Sequence, residues 1–307
     1  MVKVFGALAV ILLLAGGALF LAIRQNGPAV LDAVDRLTGG SREVILVEQA
    51  HYGLAAEQKL RAYRAAGAGT GLPVLIFVHG GSWRWGDPDD YGFVARALAP
   101  EGFVVVLAGY RLAEDGRYPA MLEDTAAAIA WAQANAARLG GDPARIVLSG
   151  HSAGAYNVAQ VALERRWLDT AQVPPGSIRG VIGIAGPYDF HPFDSDSTRA
   201  SFGSVGAGAE SQPVNHARAD APPMLLVHGG EDTLVRPRNA HALATALDGA
   251  GARVDTAIYP AMDHNAPLIA LAAPWRDRRE VTARITRFAR EVSEVRQVSV
   301  PVQAGTP

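Results

Sequence analysis

The sequence contains no cysteine, which excludes disulfides, thiolate metal sites, a cysteine nucleophile and a lipidated N-terminal cysteine, and leaves the redox compartment open. It also lacks an excess of either charge. With 28 basic and 30 acidic side chains the formal charge is −2, so no electrostatic attraction favours nucleic acid or another polyanion. The eight histidines show neither HExxH nor any other metal-ligand spacing, so neither a metal nor an organic cofactor is expected. There is no internal repeat.

What is present begins with an apolar run, residues 4–23, bounded by Lys3 and Arg24. A bilayer core of about 30 Å needs roughly 20 helical residues, whereas the apolar part of a cleaved signal is usually about 7 to 15 long. Length favours an uncleaved inner-membrane anchor with the rest of the chain facing the periplasm or exterior. The small residues Ala15-Gly16-Gly17-Ala18 keep secretion after signal cleavage as the alternative. Lys3 would hold the N-terminus in the cytoplasm, but Arg24 opposes it. The expected organisation is therefore an anchor or signal peptide over 1–24, a linker or lid over 25–42, one large domain over 43–292 and a loose tail over 293–307.

Segments 43–48 and 59–63 read as two short strands of a hairpin. From Pro73 onward, strand-length apolar runs alternate with segments of helical period, the pattern of an α/β fold with a mostly parallel sheet and helices on both faces. Strands are expected at 74–78, 103–108, 145–149, 181–185, 224–228 and 254–259. Helices are expected at 91–99, 119–139, 153–165, 239–250 and 276–292. Segment 186–223, rich in Ser, Gly, Asp and Pro, is long enough to cap a site.

Gly150-His151-Ser152-Ala153-Gly154 stands directly after one strand and before a helix. In that context Gly-x-Ser-x-Gly makes a sharp turn that projects the serine hydroxyl above the sheet, with glycines where a side chain would collide. A serine needs a base to take its proton. His264, the last histidine, lies in the loop after the final strand, where strand ends assemble a site. The acid should follow strand 224–228. Asp232 is favoured there, with Glu231 and, after the preceding strand, Asp189 as competitors; Asp263 adjoins His264 and should point elsewhere. Backbone amides of Gly80 and Gly81 in His79-Gly80-Gly81-Ser82-Trp83, together with Ala153, are the expected oxyanion donors. His228-Gly229-Gly230 resembles that loop but reads as a turn.

With these motifs, Gly109-Tyr110-Arg111-Leu112 and Asp142-Pro143, the sequence resembles the α/β-hydrolase carboxylesterases with an HGGxW oxyanion motif, in the BD-FAE-like group that includes bacterial arylformamidases. The resemblance covers about residues 43–290. It implies an α/β-hydrolase fold and a cofactor-free serine hydrolase acting on a small-molecule ester, or, as the alternative, a formamide. A catalytically silent binder on the same fold is the rival from another class. Trp83, Tyr110, Tyr156 and Tyr188 are the candidate substrate-pocket residues, with Trp85 and Phe190 beside them. Arg276, Arg278, Arg279, Arg284, Arg287 and Arg290 give the last helix a basic face, read first as solvated.

Overall fold

The computed structural model describes residues 2–39, 43–206, 208–276 and 280–294, with side chains from residue 16 onward. An eight-stranded sheet runs through it. At one end of the sheet, the edge strand β1 (Val44–His51) and its neighbour β2 (Lys59–Ala65) pair antiparallel as a hairpin. Then follow β3 (Leu72–Val78), β4 (Val104–Ala108), β5 (Gly141–His151), β6 (Ile178–Ile184), β7 (Met224–Gly229) and β8 (Val254–Tyr259). The spatial order is β1-β2-β4-β3-β5-β6-β7-β8, with β2 antiparallel to β4 and every pairing from β4 to β8 parallel. Strands β3 and β4 are almost wholly buried, which explains why they read as continuous apolar runs rather than alternating ones.

In chain order the helices are α1 (Val2–Leu37), α2 (Gly92–Leu98), α3 (Ala120–Leu139), α4 (Ala153–Leu163), α5 (Arg166–Thr170), α6 (Asp196–Phe202), α7 (Arg238–Gly249), α8 (Ala266–Ile269) and α9 (Glu280–Ser293). Two apolar layers result. One packs α3, α4 and α7 on one face of the sheet through Met121, Val158 and Leu243; the other packs α2 and α9 on the opposite face through Phe93, Val94, Ile285 and Phe288. This is the doubly covered parallel sheet that the alternating pattern implied.

The first helix does more than the sequence suggested for it. It breaks at Asn26 (φ −152°, ψ 80°), because Asn26 Oδ1 accepts the Ala29 amide at 3.1 Å and so caps a fresh helical segment. Pro28 falls in the first turn of that segment, where its missing N–H is no loss. The Asn26 side-chain amide also donates to Asp90 Oδ2 at 2.7 Å, tying the break to the turn before α2.

Beyond the break, the helix is clamped to the domain. Asp35 is fully buried and takes Arg96 Nε at 2.5 Å, Arg276 at 2.9 Å and the Ala273 amide at 2.7 Å. Asp32 meets Arg96 at 2.5 Å. The segment expected as a linker or lid is therefore helical to Leu37 and docked through buried ion pairs. Arg276, expected on a solvated face, is one of its anchors.

Among the described residues no helix is long and apolar enough to cross a membrane, so the anchor expected over 4–23 gains no support. Residues 4–15 of that run lie outside those whose side chains are described, as do Arg278, Arg279, residues 40–42 and the tail from residue 295.

Candidate active site

The turn between β5 and α4 carries Ser152 at φ 53° and ψ −119°, a left-handed conformation that only strong surrounding constraint holds for a non-glycine residue. The constraint is visible. The Ser152 amide donates to the Ile184 carbonyl at 2.8 Å, and a Cβ on Gly154 would lie 2.1 Å from the Val78 carbonyl oxygen. Helix α4 can thus start only against bare backbone, and the serine hydroxyl is left above the strand ends.

His264 bridges the other two groups. Its Nε2 is 3.0 Å from Ser152 Oγ and its Nδ1 is 2.7 Å from Asp232 Oδ2, with all three residues buried. Asp232 is set on its turn by the amides of Leu234 and Val235, which donate to Oδ1 at 3.0 and 2.8 Å. Burial pushes its carboxyl upward, but hydrogen bonds from His228 and His264 and from the Val235 amide outweigh that and hold it well below the usual carboxylate range. The competing acids go elsewhere. Glu231 is exposed, Asp189 sits 3.7 Å from Arg238, and Asp263 Oδ1 accepts the Asn265 and Ala266 amides.

Two histidines the sequence reading left without a role brace this centre. His151 Nε2 donates to the His264 carbonyl oxygen at 3.2 Å, fixing the backbone that carries the base. Burial first, then the neighbouring His264, lowers its pKa to about 3, so it stays neutral. His79 Nδ1 donates to the Gly80 carbonyl at 2.7 Å, and its ring stacks against Tyr110 at 4.7 Å and Tyr91 at 5.8 Å. Burial lowers His79 to about 4. The oxyanion loop is thereby held by neutral, packed groups.

Gly80 lies against the nucleophile: a Cβ there would come within 3.2 Å of Ser152 Cβ and 2.9 Å of the His151 carbonyl oxygen. Ala153 opens α4 from the other side. Of the three backbone positions expected as donors, Gly80 and Ala153 flank the serine and Gly81 lines the same cleft.

The cleft over Ser152 has two lobes. The first, about 420 Å³, is lined by Gly80, Gly81, Trp85, His264 and, on its outer side, residues 24–28 of α1. The second, about 290 Å³, is lined by Trp83, Ala153, Phe190, Ser197, Thr198 and Asn239. A larger cavity of about 1080 Å³ lies away from the triad, beside the N-terminal ends of β6 and β8.

Of the aromatic residues expected in the pocket, Trp83 lines the cleft, its indole N–H donating to Asn157 Oδ1 at 3.0 Å. Tyr110, Tyr156 and Tyr188 do not. All three are fully buried: Tyr110 stacks beneath the oxyanion loop, Tyr156 packs edge-on against Trp83 at 5.4 Å, and the Tyr188 ring lies against Gly183 and Gly186 while its amide donates to Asn239 Oδ1. Segment 186–223 supplies part of the second lobe through Phe190 and the start of α6, whose Ser195 caps the helix. Sequence reading missed residues 24–28, although Asn26-Gly27-Pro28 carries a helix-restart signal. Among the described residues no cluster of His, Asp or Glu could hold a metal ion.

Comparison with known proteins agrees with this architecture. Esterase LipC of Mycobacterium tuberculosis is 32% identical over 194 residues, covering 57% of this chain and 48% of that protein. Esterase LipQ of the same organism is 30% identical over 227 residues, covering 68% and 53%. The chain spans about half the length of these curated relatives. Among solved structures, esterase B from Lactobacillus Rhamnosis superposes with a TM-score of 0.73 at 21% identity, covering 91% of this chain and 96% of that one, a likeness of α/β-hydrolase fold. The BD-FAE family model matches residues 60–247, more than half of the sequence, and the chain therefore belongs to the BD-FAE family.

Proposed function

We propose that this chain is a carboxylic ester hydrolase acting through an acyl-enzyme on Ser152. The observation that carries the reading is the position of His264, within hydrogen-bond reach of Ser152 Oγ on one nitrogen and of Asp232 on the other.

Ser152 Oγ attacks the ester carbonyl carbon while its proton passes to His264 Nε2. Asp232 keeps Nδ1 protonated and stabilises the imidazolium that forms. The carbonyl oxygen, now an oxyanion, is received by amides at Gly80, Gly81 and Ala153; one such donor is typically worth about 10²- to 10³-fold in rate. The bond to the alcohol oxygen then breaks, and that oxygen takes the proton from Nε2. Water attacks the acyl-enzyme, gives a proton to Nε2, and Ser152 Oγ leaves with that proton as the acid departs.

The named relatives are esterases, which favours an ester over the formamide alternative. The full set of nucleophile, base, acid and amide donors disfavours a silent binder. For location, the apolar run 4–23 supports an anchored or secreted enzyme on composition alone. Assay of the full chain and Ser152→Ala on short aryl esters and N-formylkynurenine tests the chemistry; comparable rates for the variant would refute it. Fractionation of cells into membrane, soluble and exported protein tests the location.

A further inference from the structure

We infer that the break in the first helix is the specificity element for the alcohol half of the ester, and that the enzyme accepts a short acyl group on a bulky alcohol. The inference rests on the serine-hydrolase reading above and follows from how the two lobes of the cleft divide around Ser152.

Both lobes reach Ser152, but His264 lines only the larger one. The leaving oxygen must come within hydrogen-bond reach of His264 Nε2 to collect its proton as the ester bond breaks. The alcohol therefore occupies the lobe of about 420 Å³. The acyl chain, which stays bonded to Ser152 and needs no contact with the base, takes the smaller lobe of about 290 Å³, lined by Phe190 and the first residues of α6.

The outer wall of the alcohol lobe is residues 24–28, where α1 breaks. This wall is built, not incidental. Asn26 is held from both ends, by its cap to Ala29 and its hydrogen bond to Asp90, and the following helix is locked by Asp32 and Asp35 onto Arg96. Trp85 lines the same lobe, its ring 60% exposed with the Arg84 guanidinium 6.0 Å from its centroid. A bulky alcohol in this lobe meets a fixed helix restart and an aromatic ring.

Gly27 makes the wall testable. A Cβ there would meet nothing within 4 Å, and the residue lines the lobe, so a large side chain can enter the lobe without displacing the fold. Gly27→Trp should lower kcat/KM by at least about tenfold for acetate esters of bulky alcohols such as 2-naphthylmethanol, with changes of about twofold or less on ethyl acetate and ethyl hexanoate; size exclusion in a pocket typically reaches about 10- to 200-fold. Ser197→Trp, in the other lobe, should do the converse and penalise ethyl hexanoate. Gln25→Trp repeats the first test should the Gly27 variant melt early. The inference is overturned if the residue 25 or 27 variants discriminate by acyl length, or by neither half of the ester. Loss of all activity in Ser152→Ala, measured in parallel, keeps failure of this inference distinct from failure of the hydrolase mechanism.

Discussion

His228 Nε2 lies 3.2 Å from Asp232 Oδ2 and 2.6 Å from the Val235 carbonyl oxygen, with both side chains fully buried. A carbonyl oxygen only accepts, so Nε2 carries the proton and points it between the turn and the triad acid. The carboxylate that orients His264 is thus itself gripped by a second histidine four residues earlier, at the end of β7. His228→Phe should lower kcat by about tenfold with KM little changed, because substrate does not touch this group. His228→Gln, which can still donate, should recover part of the loss. Equal kcat for wild type and the Phe variant would remove His228 from the positioning of the triad.

The three candidate acids separate cleanly by substitution. Asp232→Asn leaves shape intact but removes the charge that holds the His264 tautomer, and should cost about 10⁴-fold in kcat. Glu231→Gln and Asp189→Asn, whose carboxylates lie away from the base, should each stay within about twofold. Steady-state kinetics on one aryl ester decide among them.

The parts of this site governed by local pattern were legible in the sequence. Ser152 announced itself because strand, glycine and helix signals coincide there, and the parallel strands because their burial on both faces leaves continuous apolar runs. What was not legible depended on distant partners. Tyr110, Tyr156 and Tyr188 sit near strand ends, yet which side of a strand end faces the cleft is set by packing against His79, Trp83 and the glycines Gly183 and Gly186. Likewise Asp35 and Arg276 are 241 positions apart, so composition alone gave a solvated basic face where the fold has a buried ion pair. Asn26-Gly27-Pro28 does hold a restart signal, but its place beside Ser152 is a tertiary fact.

Asp35 should be among the most costly positions to neutralise. It is fully buried, and Asp35→Ala would take a buried carboxylate away from both Arg96, which keeps Asp32, and Arg276. Removing one member of a buried ion pair typically costs about 3–5 kcal/mol, because the remaining charge stays desolvated. Chemical denaturation should show a drop of that order. Since the same helix forms the wall at residues 24–28, activity on esters of bulky alcohols should fall further than activity on ethyl acetate in the folded fraction.

Acid should weaken the fold earlier than carboxylate titration alone would bring. His79 and His151 are buried and neutral, with pKa values lowered to about 4 and about 3, against about 6.5 in an unfolded chain. Above about pH 6.5 neither state binds the extra protons and the full stability is present. As pH falls below that, the unfolded chain takes up protons that the native state refuses, so stability declines until about pH 4 for His79 and about pH 3 for His151. Asp232, also depressed, adds its own loss further down, beginning near the ordinary carboxylate range. Unfolding free energy measured by denaturant should therefore slope downward as pH falls from 7, the slope approaching about two protons near pH 5. His151→Gln, which keeps a donor for the His264 carbonyl, should flatten that slope by about one. An unchanged slope in this variant would mean that His151 is already charged in the folded protein.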